Sequence, residues 1–199
     1  MKYGALVALF PIALWSAPAF SEVTASAENG FAVTHTVRVA VDPEQAYAMV
    51  QSPAKWWSKE HSWTGNADNL YMDGQAGGCF CELIKGEPDQ DGQRQLKGSV
   101  QHMRILYAEP GKMLRLSGAL GPMQSEAVTG TLTILFKPID GGTEISFDYV
   151  LGGYMRMPID AIAPAVDGVI GEQASRLAMA LGPLVGSQPA SDDDASAGD

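Results

Sequence analysis

Hydrophobic and polar positions alternate with a period of two over much of the chain. In residues 31–41 every second position is apolar, and His35 alone interrupts that set. Successive side chains of a strand point to opposite faces, so this pattern predicts a half-buried β-strand. Alternation between short turn sequences predicts six further strands in an antiparallel meander. These strands are expected near residues 69–73, 77–84, 95–107, 112–118, 127–137 and 143–151.

The remaining periodic segments are helical. Asp42 precedes Pro43 and a run with helical spacing, which predicts an N-capped helix. A second short helix is expected to begin at Pro53, and apolar residues recur every three or four positions from Ile159 to Leu181. We therefore predict an α+β fold in which a curved antiparallel sheet wraps around a long C-terminal helix, with two short helices after the first strand.

Several stretches resemble one known superfamily. They are "VTHTVRVAVDPEQAYAMV", "PAKWW", "DGQAGGCFCE", "LRLSGALGP", "GGTEISFDYVLGGY" and "VDGVIGEQASRLAMAL". Together they are similar to the START-like (SRPBCC) superfamily with its helix-grip fold, and "DGQAGGCFCE" resembles the branch of activators of the heat-shock protein 90 ATPase. The resemblance implies a cavity between the sheet and the last helix, and it carries over no catalytic residue.

The two ends of the chain differ from its middle. Lys2, a short apolar run and Ala17-Pro18-Ala19 predict a cleaved signal peptide over residues 1–19, with Ala25-Ser26-Ala27 as a second candidate cleavage site. We expect a linker over 20–30, a START-like domain over 31–183 and a disordered acidic tail over 184–199. The protein is then periplasmic or secreted, with no stable membrane anchor after cleavage.

Charge and composition restrict the partners. The 199-residue chain carries a formal net charge of −10, which argues against nucleic acid as a partner. It contains no G-x-S-x-G motif, no paired carboxylates and no glycine-rich phosphate loop. We expect a monomer without a cofactor, and we identify no catalytic residue.

Cys79 and Cys81 allow three interpretations. A disulfide would join Cα atoms about 6.6 Å apart in an extended strand, near the upper limit for such a bond. A metal site would use both thiolates together with His102, but the sequence offers no second ligand pair. The favoured interpretation is that both are small apolar strand residues. His102 itself is expected to point outward, in a register that aligns Ile105 with Leu114.

Aromatic and polar residues near the expected cavity are the candidate ligand contacts. An unpaired buried imidazole is costly, so His35 needs a partner or a ligand. Tyr149 shares its strand face with Phe147 and has a hydroxyl that could orient a ligand. Asp167 and Glu172 are expected on a solvated edge of the last helix. The predicted binding residues are His35, Trp56, Trp57, Trp63, Tyr71, Phe147, Tyr149, Tyr154, Val166 and Ile170.

These observations predict that the domain binds a small hydrophobic molecule, such as a lipid, a polyketide-like compound or an aromatic compound, in a central cavity. One alternative is a cyclase, dehydratase or hydrolase that uses His35 or Tyr149 as acid–base group. The other is a chaperone-regulating interaction module, against which the signal peptide argues because the ATP-driven chaperone lies in another compartment.

Overall fold

A computed structural model describes residues 23–184. The predicted signal peptide 1–19 and the tail beyond residue 184 lie outside the described residues. Eight strands form one antiparallel sheet in the order β1-β2-β8-β7-β6-β5-β4-β3. The strands are β1 (Val23–Ala27), β2 (Gly30–Val39), β3 (Leu70–Met72), β4 (Cys79–Pro88), β5 (Arg94–Glu109), β6 (Met113–Ser117), β7 (Ala127–Ile139) and β8 (Gly142–Tyr154).

Two α-helices complete the fold. Helix α1 spans Pro43–Val50, and Asp42 caps it as predicted, because its Oδ1 accepts a hydrogen bond from the Gln45 backbone nitrogen at 2.8 Å. Helix α2 spans Ile159–Leu181 and ends at Gly182. The sheet with its long C-terminal helix confirms the predicted α+β helix-grip fold. Short 3-10 helices occupy Pro53–Lys55, Lys59–His61, Ala67–Asn69 and Gly121–Ser125.

One face of the sheet and one face of α2 form the core. On β7 and β8 the buried positions alternate as the sequence predicts, which places Leu132, Ile134, Phe147 and Tyr149 inside. The buried α2 residues recur every three or four positions and pack toward β2. Of the helices in residues 23–184, none is long and apolar enough to cross a membrane.

The predicted linker over residues 20–30 is wrong in part, because it contains strand β1. Val23–Ala27 pairs with the start of β2 at the edge of the sheet. The sequence "VTASA" carries little apolar alternation, and all but its first residue are exposed. Backbone pairing rather than burial therefore creates this strand, so a search for hydrophobic periodicity overlooks it.

Helix α2 contacts strand β2 at His35, which lies against Asp167 and Gly171 of the helix. His35 Nε2 lies 2.8 Å from Asp167 Oδ1, and the Asp167 side chain is only 3% exposed. Asp167 is thus buried against the sheet, and its expected place on a solvated helix edge is wrong. Gly171 follows one turn later, where an added Cβ would come within 2.7 Å of the His35 ring. The helix approaches β2 this closely because residue 171 has no side chain.

Alanine substitution at two glycines of α2 tests this contact. Gly168 faces open space, so Gly168→Ala should stabilise the protein by up to about 1 kcal/mol through helix propensity. Gly171→Ala gains the same propensity but must displace His35, so we expect net destabilisation of about 1 kcal/mol. Urea unfolding of both variants measures the difference, and equal stabilisation of the two would contradict the close contact.

Candidate functional site

A pocket of about 470 Å³ opens beside the first half of α2. Its walls come from that part of the helix, from residues 57–63, from the 3-10 helix at 121–123 and from one residue of β5. Most of the surface is apolar, as is usual for sites that bind small organic molecules. The lining residues are Trp57, Glu60, His61, Ser62, Trp63, His102, Leu120, Gly121, Pro122, Met123, Ile162, Ala165, Val166 and Val169.

The loop that forms one wall is fastened to α2 by hydrogen bonds. Arg176 Nε donates to the Trp56 carbonyl at 2.9 Å, and the Ser58 backbone nitrogen donates to Gln173 Oε1 at 2.8 Å. Gln173 Nε2 is the one buried side-chain nitrogen or oxygen of residues 23–184 without a hydrogen-bond partner. These bonds fix the start of the loop on the helix and set the width of the pocket.

A histidine–glutamate pair is the third contact that holds the loop on α2, and it lies near the pocket mouth. His61 Nε2 lies 2.9 Å from Glu172 Oε2, and both side chains are partly exposed. A hydrogen bond from Ser58 lowers the pKa of Glu172, and His61 lowers it further. Glu172 therefore lies at a solvated helix edge, as predicted, but it also holds the loop.

The end of the loop is held by a buried carboxylate. Glu82 is fully buried on β4 and accepts hydrogen bonds from the backbone nitrogens of Trp63 at 2.9 Å and Thr64 at 2.7 Å. His102 Nε2 lies 3.0 Å from its Oε2. Burial raises the pKa of Glu82, but the bonds from Thr64, Trp63 and His102 lower it by more, so it stays below its ordinary value. Glu82 is thus a buried carboxylate whose two oxygens are hydrogen-bonded to Trp63, Thr64 and His102.

His102 faces the pocket because β5 carries a bulge. Phe80 pairs with Met103 whereas Cys81 pairs with Gln101, which leaves His102 as the extra residue on β5. Consecutive residues His102 and Met103 are therefore both buried. The expectation that His102 points outward is wrong, because the bulge interrupts the regular alternation of β5.

The neighbouring register was also predicted incorrectly. Ile105 pairs with Leu116 rather than with Leu114, and a second irregularity in β5 follows directly after Ile105. Leu114 instead pairs with Ala108. Each bulge shifts the alternation of β5 by one residue, so its inward positions cannot be read from a period of two.

Aromatic side chains surround the buried histidine. The Phe80 ring centroid lies 5.0 Å from those of both Trp57 and His102, and Trp57 in turn packs edge-on against Trp56. Burial lowers the pKa of His102, and the neighbouring Glu82 carboxylate raises it by less. The imidazole is therefore held in its neutral form near neutral pH.

Three of the predicted binding residues line the pocket, namely Trp57, Trp63 and Val166. The structure does not bring the others to it. Trp56, Phe147, Tyr149 and Ile170 are buried in the core, His35 lies between β2 and α2, and Tyr71 and Tyr154 are exposed on the surface.

Tyr149 is a packing residue. Its hydroxyl donates to the Gly118 carbonyl at 3.2 Å, and burial raises the pKa of the phenol above its ordinary value. An added Cβ at Gly130 would lie 2.4 Å from its ring, so that glycine provides the space for the side chain. Because the hydroxyl is enclosed and already bonded, it does not reach a molecule in the pocket.

Cys79 and Cys81 form a disulfide, so the favoured prediction of two separate apolar side chains is wrong. Their Cα atoms are 5.5 Å apart, closer than in an extended strand, at the position where pairing with β5 is irregular. The alternative metal site at Cys79, Cys81 and His102 is also wrong, because the bond consumes both thiols. Nowhere in residues 23–184 do three or more His, Cys, Asp or Glu side chains form a metal-binding group.

Comparison with known proteins extends only to the fold. No protein-family model matches the sequence, and no curated protein matches it. Protein MLL2253 from Mesorhizobium loti aligns with a TM-score of 0.51 and 15% identity over 75% of this chain and 96% of that chain.

Two further crystal structures give similar alignments. An uncharacterized protein from Rhizobium leguminosarum has a TM-score of 0.49 and 18% identity over 75% of this chain and 93% of its own. Protein NE0264 from Nitrosomonas europaea has a TM-score of 0.47 and 16% identity over 79% and 96% of the two chains. Identities of 15–18% carry no information on function.

The disulfide predicts protection of both cysteines from alkylation. Protein purified without reductant should be unreactive toward iodoacetamide after denaturation, because neither sulfur is a thiol. After reduction both cysteines should react. Intact-mass spectrometry distinguishes the two states, and double alkylation of unreduced protein would show that the bond is absent.

The lowered pKa of His102 predicts a pH-dependent stability. Below about pH 6.5, the ordinary pKa of histidine, His102 is protonated in the unfolded chain but remains neutral to lower pH in the folded protein. The free energy of unfolding should therefore decrease as the pH is lowered from about 7.5 to 5.5. The decrease should be smaller in His102→Gln, because glutamine does not titrate. Urea unfolding at both pH values tests this, and equal losses in the two proteins would contradict it.

Proposed function

We propose that this protein binds a small apolar molecule in the pocket beside the first half of α2. The observation that carries the proposal is the pocket itself, which has a volume of about 470 Å³ and mostly apolar walls. Pockets of a few hundred cubic ångströms suit small organic molecules. Removal of apolar surface from water, at about 25 cal/mol per Å², would drive binding before association costs are subtracted.

The walls favour a guest with a flat, unsaturated part. Trp57 and Trp63 line one side, and Leu120, Met123 and Val169 line others. Trp57 is fixed by its contacts with Phe80 and by a hydrogen bond from its Nε1 to the His61 carbonyl at 3.1 Å. Trp63 is 56% exposed, so its side chain can move over the mouth without loss of core packing. Among apolar guests, aromatic or polyketide-like compounds therefore fit better than straight-chain lipids.

The enzyme alternative receives little support at His35 and Tyr149, its candidate acid–base groups. His35 is paired with Asp167 between β2 and α2, away from the pocket, and the Tyr149 hydroxyl is bonded to a backbone carbonyl. Neither is placed to exchange a proton with a guest. For the chaperone-regulating alternative, no feature of residues 23–184 provides a specific argument.

We further propose that the chain is an exported, monomeric member of the START-like superfamily. The helix-grip fold supports the superfamily, together with the sequence stretches that resemble it. The Cys79–Cys81 disulfide supports export, because such bonds persist in oxidising compartments and are rare in the cytosol.

Filling the pocket from α2 tests the proposed function. Val169→Trp places an indole into the pocket and should weaken binding of the neutral fluorescent probe N-phenyl-1-naphthylamine by about tenfold or more. The control is Met179→Trp on the same helix, where the side chain is 66% exposed away from the pocket. This control should bind the probe as the unmodified protein does.

Three outcomes are informative. Probe binding that Val169→Trp weakens and Met179→Trp preserves supports the proposal. Equal binding by all three proteins places the probe elsewhere, and absence of binding to the unmodified protein, together with no thermal shift from a panel of lipids, sterols and aromatic acids, contradicts a carrier for apolar molecules.

A further inference from the structure

We propose that His102 is the polar recognition residue of the pocket, and that its Nδ1 accepts a hydrogen bond from a neutral hydroxyl group on the guest. The ligand class is then an apolar, ring-containing compound with one phenolic, enolic or alcoholic hydroxyl. This inference rests on the proposed function, because it names the chemistry that the same pocket selects.

The first argument is the fixed orientation of the imidazole. Glu82 is anchored by the backbone nitrogens of Trp63 and Thr64, so its carboxylate cannot turn away from His102. A carboxylate accepts hydrogen bonds and does not donate them, so His102 Nε2 must carry the proton in the 3.0 Å contact. In a neutral imidazole the other nitrogen, Nδ1, is then an acceptor.

The second argument is that Nδ1 is unused. His102 lines the pocket, Glu82 occupies its Nε2, and the Phe80 ring lies 5.0 Å away against the imidazole. In the part of the chain that the structure describes, Nδ1 has no hydrogen-bond partner. The polar atom that this side chain can offer to a guest is therefore Nδ1, which is accessible from the pocket because Gln173 Nε2 is the unpartnered side-chain nitrogen of residues 23–184 that is fully buried. A guest that covers Nδ1 without donating a hydrogen bond to it would leave an acceptor unsatisfied.

The third argument compares the other polar side chains that line the pocket. Ser62 Oγ already donates to the Lys59 carbonyl at 2.8 Å, and His61 is engaged with Glu172. Glu60 is exposed to solvent. Trp57 is buried, but its Nε1 already donates to the His61 carbonyl, and Trp63 is exposed. Among these side chains, His102, which is 5% exposed, is the one in the buried wall with an unused hydrogen-bonding atom. One acceptor in an apolar pocket selects for one matching donor, because a guest that covers Nδ1 without donating to it leaves it unpaired.

Charge narrows the ligand class further. A carboxylate guest would bring a negative charge into an apolar pocket beside the Glu82–His102 pair, and it has no proton to donate. An ammonium group could donate, but its desolvation in this pocket is costly. A neutral hydroxyl donates a hydrogen bond at a much lower desolvation cost, so it is the group that fits.

The experiment compares three matched probes by isothermal titration calorimetry: 2-naphthol, 2-methylnaphthalene and 2-naphthoate. We expect the unmodified protein to bind 2-naphthol about fivefold to tenfold more tightly than 2-methylnaphthalene, and 2-naphthoate the least. His102→Phe keeps an aromatic ring against Phe80 but has no acceptor, so the two neutral probes should bind it equally. Gln101→Phe, on the exposed face of the same strand, should keep the preference.

A second measurement does not depend on the folding of a variant. In ¹⁵N-labelled unmodified protein, the His102 imidazole should show a protonated Nε2 and an unprotonated Nδ1. Addition of 2-naphthol should shift the Nδ1 resonance, whereas 2-methylnaphthalene should leave it nearly unchanged.

The outcomes separate this inference from the proposed function. If 2-naphthol and 2-methylnaphthalene bind equally well and Nδ1 does not respond, the role of His102 is overturned while the apolar pocket stands. If neither neutral probe binds, the proposed function fails and the inference fails with it. If 2-naphthoate binds best, the ligand class is wrong.

Discussion

One buried carboxylate holds the wall of the pocket in position. Glu82 is fully buried on β4, and an ionised carboxylate is stable there only if its oxygens are fully hydrogen-bonded. The chain supplies these bonds from Trp63, Thr64 and His102. These hydrogen bonds hold the end of the 57–63 loop and strand β5 together at Glu82. The pocket is the space between this junction and α2.

The opposite wall follows from the composition of α2. Its first half lines the pocket with Ile162, Ala165, Val166 and Val169, whereas Ile170 and Leu177 fill the core further along. Close approach of helix and sheet at Gly171 and His35 closes the interior next to the pocket. The cavity therefore lies at one end of the sheet–helix interface and not at its centre, where the sequence placed it.

Periodicity predicted the architecture because burial creates most of it. The strands from residue 70 onward, the Asp42 cap and the end of α2 at Gly182 lie close to their predicted positions. Features created by other forces were missed. Strand β1 depends on backbone pairing, the inward turn of His102 depends on a bulge, and the disulfide depends on a local contraction of β4.

The candidate site was predictable only in part. Trp57 and Trp63 lie in the loop wall and Val166 lies on α2, whereas the aromatic core residues Phe147 and Tyr149 cannot be distinguished from ligand contacts by residue type alone. The sequence signal for Glu82 is a charged residue that shares its strand face with Phe80 and Ile84. Its three donors come from distant positions in the sequence, and only the folded chain brings them together.

The most direct test of the central claim is a crystal structure of the protein soaked with 6-bromo-2-naphthol, recorded at the bromine absorption edge. The account predicts an anomalous bromine peak inside the pocket between α2 and Leu120–Met123, with the naphthol oxygen within hydrogen-bond distance of His102 Nδ1. A peak only on the outer surface of the sheet, with the pocket unoccupied at saturating compound, would contradict it.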